Sequence, residues 1–330
     1  MSLSTFQFWV ACICGIIVHY GAILPLEADV RQYQPGDFIK IRDFLVATYA
    51  HFQRSYNWTI ERWNFSVSLA RTMNALSLDE WATQIGIWEQ DGAIEAVVNA
   101  EGEDEGEVFF QLRNEHLPDT RLAELFSFCE ARMGKVEGDT RRIQLFLPSG
   151  DARLEALAQD RGFIRQSWVD HDGVVDVTEE LSVALPAGYT FADGTAVTPE
   201  EMGAAHALAF EYADDPVYPQ RAVEGFRRMI LTPDYRADLH LHVRGPDGDI
   251  AAFATMWYDA QNRIGILEPV GTAPAHRGLG LGRAAIYTLI NKIRAEGALR
   301  VHVGSDQPFY QRLGFVIREK YSVWRKDVTL

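Results

Sequence analysis

The sequence predicts an α/β (α+β) protein in which one arrangement of strands and helices occurs twice. Three observations lead there. At 330 residues the chain is long enough for two domains of ordinary size. Residues 156–166 (ALAQDRGFIRQ) align with residues 308–319 (PFYQRLGFVIRE) through a shared Gly-Phe, Gly162-Phe163 against Gly314-Phe315. Around both, the expected order is helix, strand, helix, Gly-Phe, strand. Near the C-terminus an apolar strand from Arg263 (RIGILEPVGTAPAHRGLGLGRAA) runs into a glycine-rich turn that opens an amphipathic helix. The chain divides into an apolar N-terminal extension at 1–26, a first domain at 27–182 and a second at 183–330.

Taken in order, residues 6–26 contain no charged side chain and have about the length of a membrane span. No Lys or Arg precedes them, which argues against a cleaved signal peptide, and Gly15, His19, Gly21 and Pro25 make a poor helix. Three readings stay open: an extension outside the fold, a membrane anchor, or a packed helix. Residues 86–102 alternate around Asp91-Gly92 and predict a hairpin. A strand at 108–117, a helix at 121–133 and a strand ending at Pro148 follow. In the second half, residues 240–259 predict the matching hairpin, turning at Pro246-Asp-Gly-Asp249. After the glycine turn and its helix come a strand at 299–305 and a short helix ahead of Gly314-Phe315.

A hydrophobic content of 47% and a charged content of 23% indicate a globular protein. The net charge of −15 argues against a nucleic-acid binder. Residues 27–180 hold 29 acidic and 15 basic side chains, whereas the rest of the chain from Leu181 holds 17 and 16. The nearly neutral half carries the glycine turn, which suits an anionic ligand. The acidic run at 101–107 reads as a solvated hairpin turn. Three cysteines make neither a disulfide framework nor a zinc site, and Cys129, in a helical pattern, reads as a buried structural thiol. The nine histidines show no metal-ligand spacing, so no metal is expected.

A strand, glycine turn and helix N-terminus together suit a diphosphate, because glycine lets the backbone approach and the first helical N–H groups point at the ligand. Three motifs compete for this turn. Gly280, Gly282 and Ala285 fit a dinucleotide fingerprint by letter, but the next strand offers Arg300 and His302 where that motif needs an acid. An ATP-type loop needs Gly-Lys-Ser/Thr, and Gly282 is followed by Arg283 and Ala284. The third is the R-x-x-G-x-G turn of an acyl-CoA site, matched by Arg277, Gly280 and Gly282 with Gly278 between.

On EPVGTAPAHRGLGLGRA (268–284) and FYQRLGF (309–315), about 30 residues apart, the chain resembles the GNAT superfamily of acyl-CoA-dependent N-acyltransferases over residues 189–326. The resemblance implies two tandem GNAT-like domains, each a mixed, mostly antiparallel central sheet flanked by helices, with acetyl-CoA as co-substrate. It places Val270, Gly271 and Thr272 beside pantetheine on a splayed strand. The turn Gly278, Leu279, Gly280, Leu281, Gly282 and Arg283, with Arg277, would hold the pyrophosphate. Tyr310 is the candidate acid for the departing thiolate, and the Val270 N–H would face the thioester carbonyl. Glu268, two residues before the splay, is the candidate base. Asp306 stands where the family often has asparagine and reads as an N-cap of the last short helix.

The family contacts its acceptor through the loop after its first helix, here residues 211–220, so Tyr212, Asp214, Asp215 and Tyr218 are candidates for a cationic, partly apolar amine. Their counterpart at 49–65 is rich in aromatics, which read as core or as one wall of a cleft between the halves. The first half is the degenerate copy: its turn, RNEHLPDTR (113–121), has no glycine, and Ala158 stands in the place of Tyr310. The expected function is N-acetyl transfer to a primary amine, small molecule or peptide, by direct attack in a ternary complex. The alternative is an acyl-CoA-binding sensor without turnover. The expected protein is cytoplasmic, a monomer or homodimer that binds no nucleic acid, unless residues 6–26 anchor it in a membrane. In that setting the sequons at Asn57 and Asn64 read as chance matches.

Overall fold

The computed structural model describes residues 30–102 and 106–330. The extension at 1–26, with its three readings, lies outside the described residues. None of the described helices is long and apolar enough to cross a membrane.

The first half runs β1 (Val30–Gln32), α1 (Asp37–Phe52), α2 (Ile60–Phe65), a π-helical stretch (Ser66–Ala70), α3 (Arg71–Met73), α4 (Leu78–Thr83), β2 (Ile85–Gln90), β3 (Ala93–Asn99), β4 (Glu107–Leu112), α5 (Asp119–Arg132), β5 (Lys135–Glu137), β6 (Thr140–Pro148), α6 (Ala152–Asp160) and β7 (Ile164–Asp176). The Asp91-Gly92 turn forms as expected, with φ of +52° and +76° at its two central residues. Helix α5 buries Leu122, Leu125, Phe126, Phe128 and Cys129 along one stripe, and burial raises the Cys129 thiol well above its ordinary range. Both sequon asparagines are buried. Asn57 bonds the backbone of Leu112, and Asn64 bonds Ile60 and Asp234.

The second half repeats the order: β8 (Thr190–Asp193), α7 (Pro199–Ala209), α8 (Tyr218–Met229), β9 (His240–Arg244), β10 (Ile250–Asp259), β11 (Ile264–Thr272), α9 (Leu281–Ala295), β12 (Arg300–Val303), α10 (Pro308–Arg312) and β13 (Val316–Thr329). A capping box starts α7, with Thr198 and Glu201 satisfying each other's amides and Pro199 at the first position.

All the strands join one mixed sheet in the order β1-β2-β3-β4-β6-β13-β7-β12-β11-β10-β9-β8, with β5 paired to β6 at the side. The last strand of each half is exchanged. Strand β13 pairs antiparallel with β6 of the first half, from Tyr321↔Pro148 to Thr329↔Thr140. Strand β7 pairs antiparallel with β12 of the second half, from Arg300↔Asp176 to Val303↔Gly173. The two exchanged strands pair with each other at the centre.

The cores follow the same exchange. Trp324 of β13 lies 5% exposed in the cluster of Leu145, Phe126 and Phe163. On the opposite face, Val46, Tyr49, Ile60 and Leu69 of the first half share a cluster with Phe226, Phe253 and Trp257 of the second. Gly225 makes that contact possible, since a Cβ there would lie 2.4 Å from a Leu69 methyl. The ion pair Arg42–Asp234, at 2.6 Å, ties α1 to the loop after α8.

Candidate active site

Strand β11 pairs with β10 along its length but with β12 only at Ile264↔Arg300, Gly265↔Val301 and Ile266↔His302. Beyond Ile266 the two strands part. The ladder to β10 shifts register between Ala254 and Met256, opposite Val270 and Leu267, which marks a bulge at Glu268-Pro269. Pro269 has no N–H, and Trp257 Nε1–H donates to the Glu268 carbonyl at 2.7 Å, holding the bend. The edge toward β12 is therefore left without a partner strand from Leu267 to Thr272.

The glycine turn closes the other side. Gly278 and Gly280 have φ of +82° and +78°, where a side chain would be strained. Gly280 is the N-cap of α9 and no side chain caps the helix, so the first-turn amides have no intrahelical acceptor and face the cleft. A Cβ at Gly282 would sit 3.3 Å from Thr272 Oγ1 and 3.4 Å from the Phe309 ring, so glycine here keeps three elements in contact. The Arg277 guanidinium is engaged by protein: it pairs with Glu211 at 2.6 Å and donates to the carbonyls of Ala209 and Thr272. It thereby pins the turn to the end of α7. The resulting cleft, about 1030 Å³, is lined by Val270, Gly271, Thr272, Arg277, Gly278, Leu279, Gly280, Leu281, Gly282 and Arg283, with Phe309 and Tyr310. Positive-φ glycines, an uncapped helix and the side chains of Arg283 and Arg312 fit a diphosphate group.

Tyr310 lies on α10, 9% exposed, edge-on to Phe309 and Phe315. Burial, and then the negative charge of Glu268, push its phenol up to about 12. Glu268 is half-buried, and its charge also acts on Arg62 of the first half. Asp306 does not cap α10. Gln307 holds the N-cap position, and the Asp306 carboxylate lies 3.6 Å from His171 of β7. The helix begins one residue later than an Asp306 cap would require, so Asp306 stands outside it, one residue before the cap position.

The four acceptor candidates of the second half lie together on the loop between α7 and α8. The Tyr212 hydroxyl and His206 Nδ1 share a hydrogen bond of 2.5 Å, and Asp215 accepts the amides of Val217 and Tyr218 as a turn residue. Asp214 is exposed, and Tyr218, 42% exposed, carries Arg221 against its ring. These four are not among the lining of the cavity between the halves. That cavity, about 60 Å³, is lined by Trp58, Thr59, Glu61, Arg62, Phe109, Asp170, Asp172 and Tyr321, against Ile266 and Gly304 where β11 leaves β12. A neighbouring cavity of about 260 Å³ shares Ser55 and Asp172 and reaches Arg54, Arg300 and Arg318. Between them, His302 Nδ1–H donates to Asp172 at 2.9 Å, which leaves Nε2 to accept the Tyr49 hydroxyl at 2.9 Å. The aromatic run at 49–65 was the signal for this region. Its charged partners come from β7 and could not be paired with it from sequence.

The first half fills its own equivalent of the cleft. Strand β4 also leaves β6 after Phe109↔Phe146, but the carboxamide of Asn57 takes the open edge, donating to the Leu112 carbonyl at 2.7 Å and accepting its amide at 2.9 Å. At the turn before α5, Arg153 donates to the carbonyls of Glu115 and Leu117 and to the Asp119 carboxylate. Ala158, buried, packs in the core. Among the described residues no cluster of His, Cys, Asp and Glu is arranged to hold a metal ion.

Residues 205–315 match the model of the Acetyltransferase (GNAT) family. Streptothricin acetyltransferase of Streptomyces lavendulae is 41% identical over 54 residues, 16% of this chain and 29% of that protein. Glucosamine 6-phosphate N-acetyltransferase of Trypanosoma brucei brucei is 38% identical over 60 residues, 17% of this chain and 41% of that protein. The chain thus spans less than half the length of either relative. A tandem GNAT protein from the clavulanic acid biosynthesis pathway superposes with a TM-score of 0.61 at 13% identity, covering 91% of this chain and 98% of its own. The shared fold is the GNAT fold, present twice.

Proposed function

We propose that this chain, whose second half is a GNAT domain, transfers an acetyl group from acetyl-CoA to a primary amine in a ternary complex. One observation carries the reading: the unpartnered edge of β11, the uncapped glycine turn and the Tyr310 phenol meet in one cleft. The edge from Val270 to Thr272 takes pantetheine as an added strand, and the turn from Gly278 to Arg283 takes the diphosphate. Glu268 accepts the proton of the attacking amine, and the Val270 amide steadies the charge that develops on the carbonyl oxygen. Tyr310, kept protonated by burial, gives its proton to the departing thiolate.

The amine approaches from the opposite face, where Glu268 is within electrostatic reach of Arg62. The inter-half cavity is its nearer wall, and the loop bearing Tyr212, Asp214, Asp215 and Tyr218 is an outer flank. Both relatives are acetyltransferases by name, which supports the reaction class. The test is acetyl-CoA consumption against a panel of primary amines, beside a calorimetric CoA titration. Consumption with at least one amine is expected. CoA binding with no turnover on any amine would make the chain an acyl-CoA sensor instead.

A further inference from the structure

We propose that Glu61, from the first half, is the acceptor-binding residue of the second: it receives a primary ammonium on an unbranched carbon in the inter-half cavity, at the mouth of the splay. The inference rests on the acyltransferase reading above for the word acceptor. The cation site itself rests on the structure around Glu61.

Glu61 is 7% exposed and lines the cavity whose far wall is Ile266 and Gly304. Its Oε1 accepts the Thr59 hydroxyl at 2.8 Å, while its Oε2 is buried without a hydrogen-bond partner. The other carboxylates of the cavity have partners. Asp172 accepts from His302 at 2.9 Å, and Asp170 lies 3.6 Å from Arg62. Arg62 in turn is committed to Glu101 through two bonds of 2.8 Å, with its guanidinium against the rings of Trp58 and Phe109. Among the described residues Glu61 thus forms no ion pair.

A buried carboxylate in that position either keeps its proton or recruits a cation. Burial holds the Glu61 acid up to about 7. The groups facing it are Asp170, His171 and Asp172 of β7, Arg62 of α2, Tyr321 of β13 and, farther into the mouth, Glu268 of β11. Acids outnumber bases among them, and no lysine lines the cavity. An arriving ammonium supplies the missing donor to Oε2, and the proton it displaces from Glu61 leaves to solvent. A cavity of about 60 Å³ lined by Trp58, Phe109 and Tyr321 suits the head of an unbranched amine better than a bulkier branched one. A neutral hydroxyl in its place gains a hydrogen bond without the ion pair, so amines are selected over alcohols.

The test titrates the full chain, saturated with CoA, with butylamine at pH 7 in two buffers of different ionisation enthalpy. In the wild type, butylamine binds with release of a fraction of a proton, and butanol and tert-butylamine bind at least tenfold more weakly. In Glu61→Gln, an isosteric change, butylamine affinity falls at least tenfold and proton release vanishes, while CoA affinity, read in the same cell, is unchanged. Equal butylamine affinity in the two proteins overturns the proposal, as does a wild type that binds CoA and no unbranched amine. The two readings fail separately. Glu61-dependent amine binding in a chain that never consumes acetyl-CoA removes the acyltransferase reading and leaves the cation site. Turnover whose amine KM ignores Glu61→Gln removes the site and leaves the reading.

Discussion

Trp324, in the last strand of the second half, stands opposite Leu145 of the first half and is buried in the first half's core. The side chain that completes one half is therefore encoded in the other. Fragments 27–182 and 183–330, each expressed alone, should stay unfolded or aggregate, because each lacks the strand that covers its own sheet edge. Mixed, they should recover a folded complex. In the intact chain Trp324→Ala should cost about 3–5 kcal/mol, as for other large-to-small core changes. Denaturant unfolding with circular dichroism reads both, and two independently folded fragments would contradict the exchange.

Gly280→Asp should abolish CoA binding and leave the secondary structure intact. It puts a side chain at a φ of +78° and a negative charge at the proposed diphosphate position. Calorimetric titration checks it, and unchanged affinity would move the cofactor site elsewhere.

The same titration should give one CoA per chain. In the first half the edge that corresponds to the proposed pantetheine edge is taken by Asn57, and the turn is bridged by Arg153. A stoichiometry of two would mean that those contacts yield to the ligand.

Tyr310→Phe should keep CoA affinity and lower kcat by roughly 100-fold or more, the range for loss of a general acid. Since the phenol stays protonated up to about 12, the pH profile of the variant should keep its shape below that point. Glu268→Gln should instead lose least at high pH, where the free amine is already deprotonated. A pH-independent deficit would assign Glu268 to binding.

Acid should weaken the fold through three histidines buried in the second half. Burial holds His206 and His242 down to about 4, and burial with the neighbouring His242 holds His240 well below its ordinary value. Between the unfolded value of about 6.5 and pH 4 the unfolded chain binds protons that the folded chain refuses, so stability falls as pH falls through that window. Melting temperature should drop from pH 7 to pH 4.5, and His242→Leu should flatten the drop. A melting curve independent of pH would show that these rings find proton acceptors.

What could be read from sequence was whatever chemistry lies in one contiguous stretch. The glycine turn, its helix and Tyr310 sit on neighbouring segments, and the cleft gathers all ten residues named for it. The hairpins at Asp91-Gly92 and Pro246–Asp249 were equally legible, since turn type is a local property. The exchange of β7 and β13 was not, because a strand's pattern states which faces it buries and not which neighbour covers its edge. Asp306 misled because the short helix starts one residue later than its pattern suggested, which leaves the cap position to Gln307. Glu61 could not be singled out, since its isolation depends on Asp170 and Asp172 having found partners elsewhere.

The order of strands in the sheet also sets an order in time. A ribosome reaches β6 long before it makes residues 316–329, so the first half leaves an open sheet edge until those residues emerge. Nascent chains would need that edge shielded, and a stop codon just before residue 316 would damage the first half as much as the second. Loss of only the last fourteen residues of the sheet, Val316–Thr329, would remove the central strand on which both halves lean.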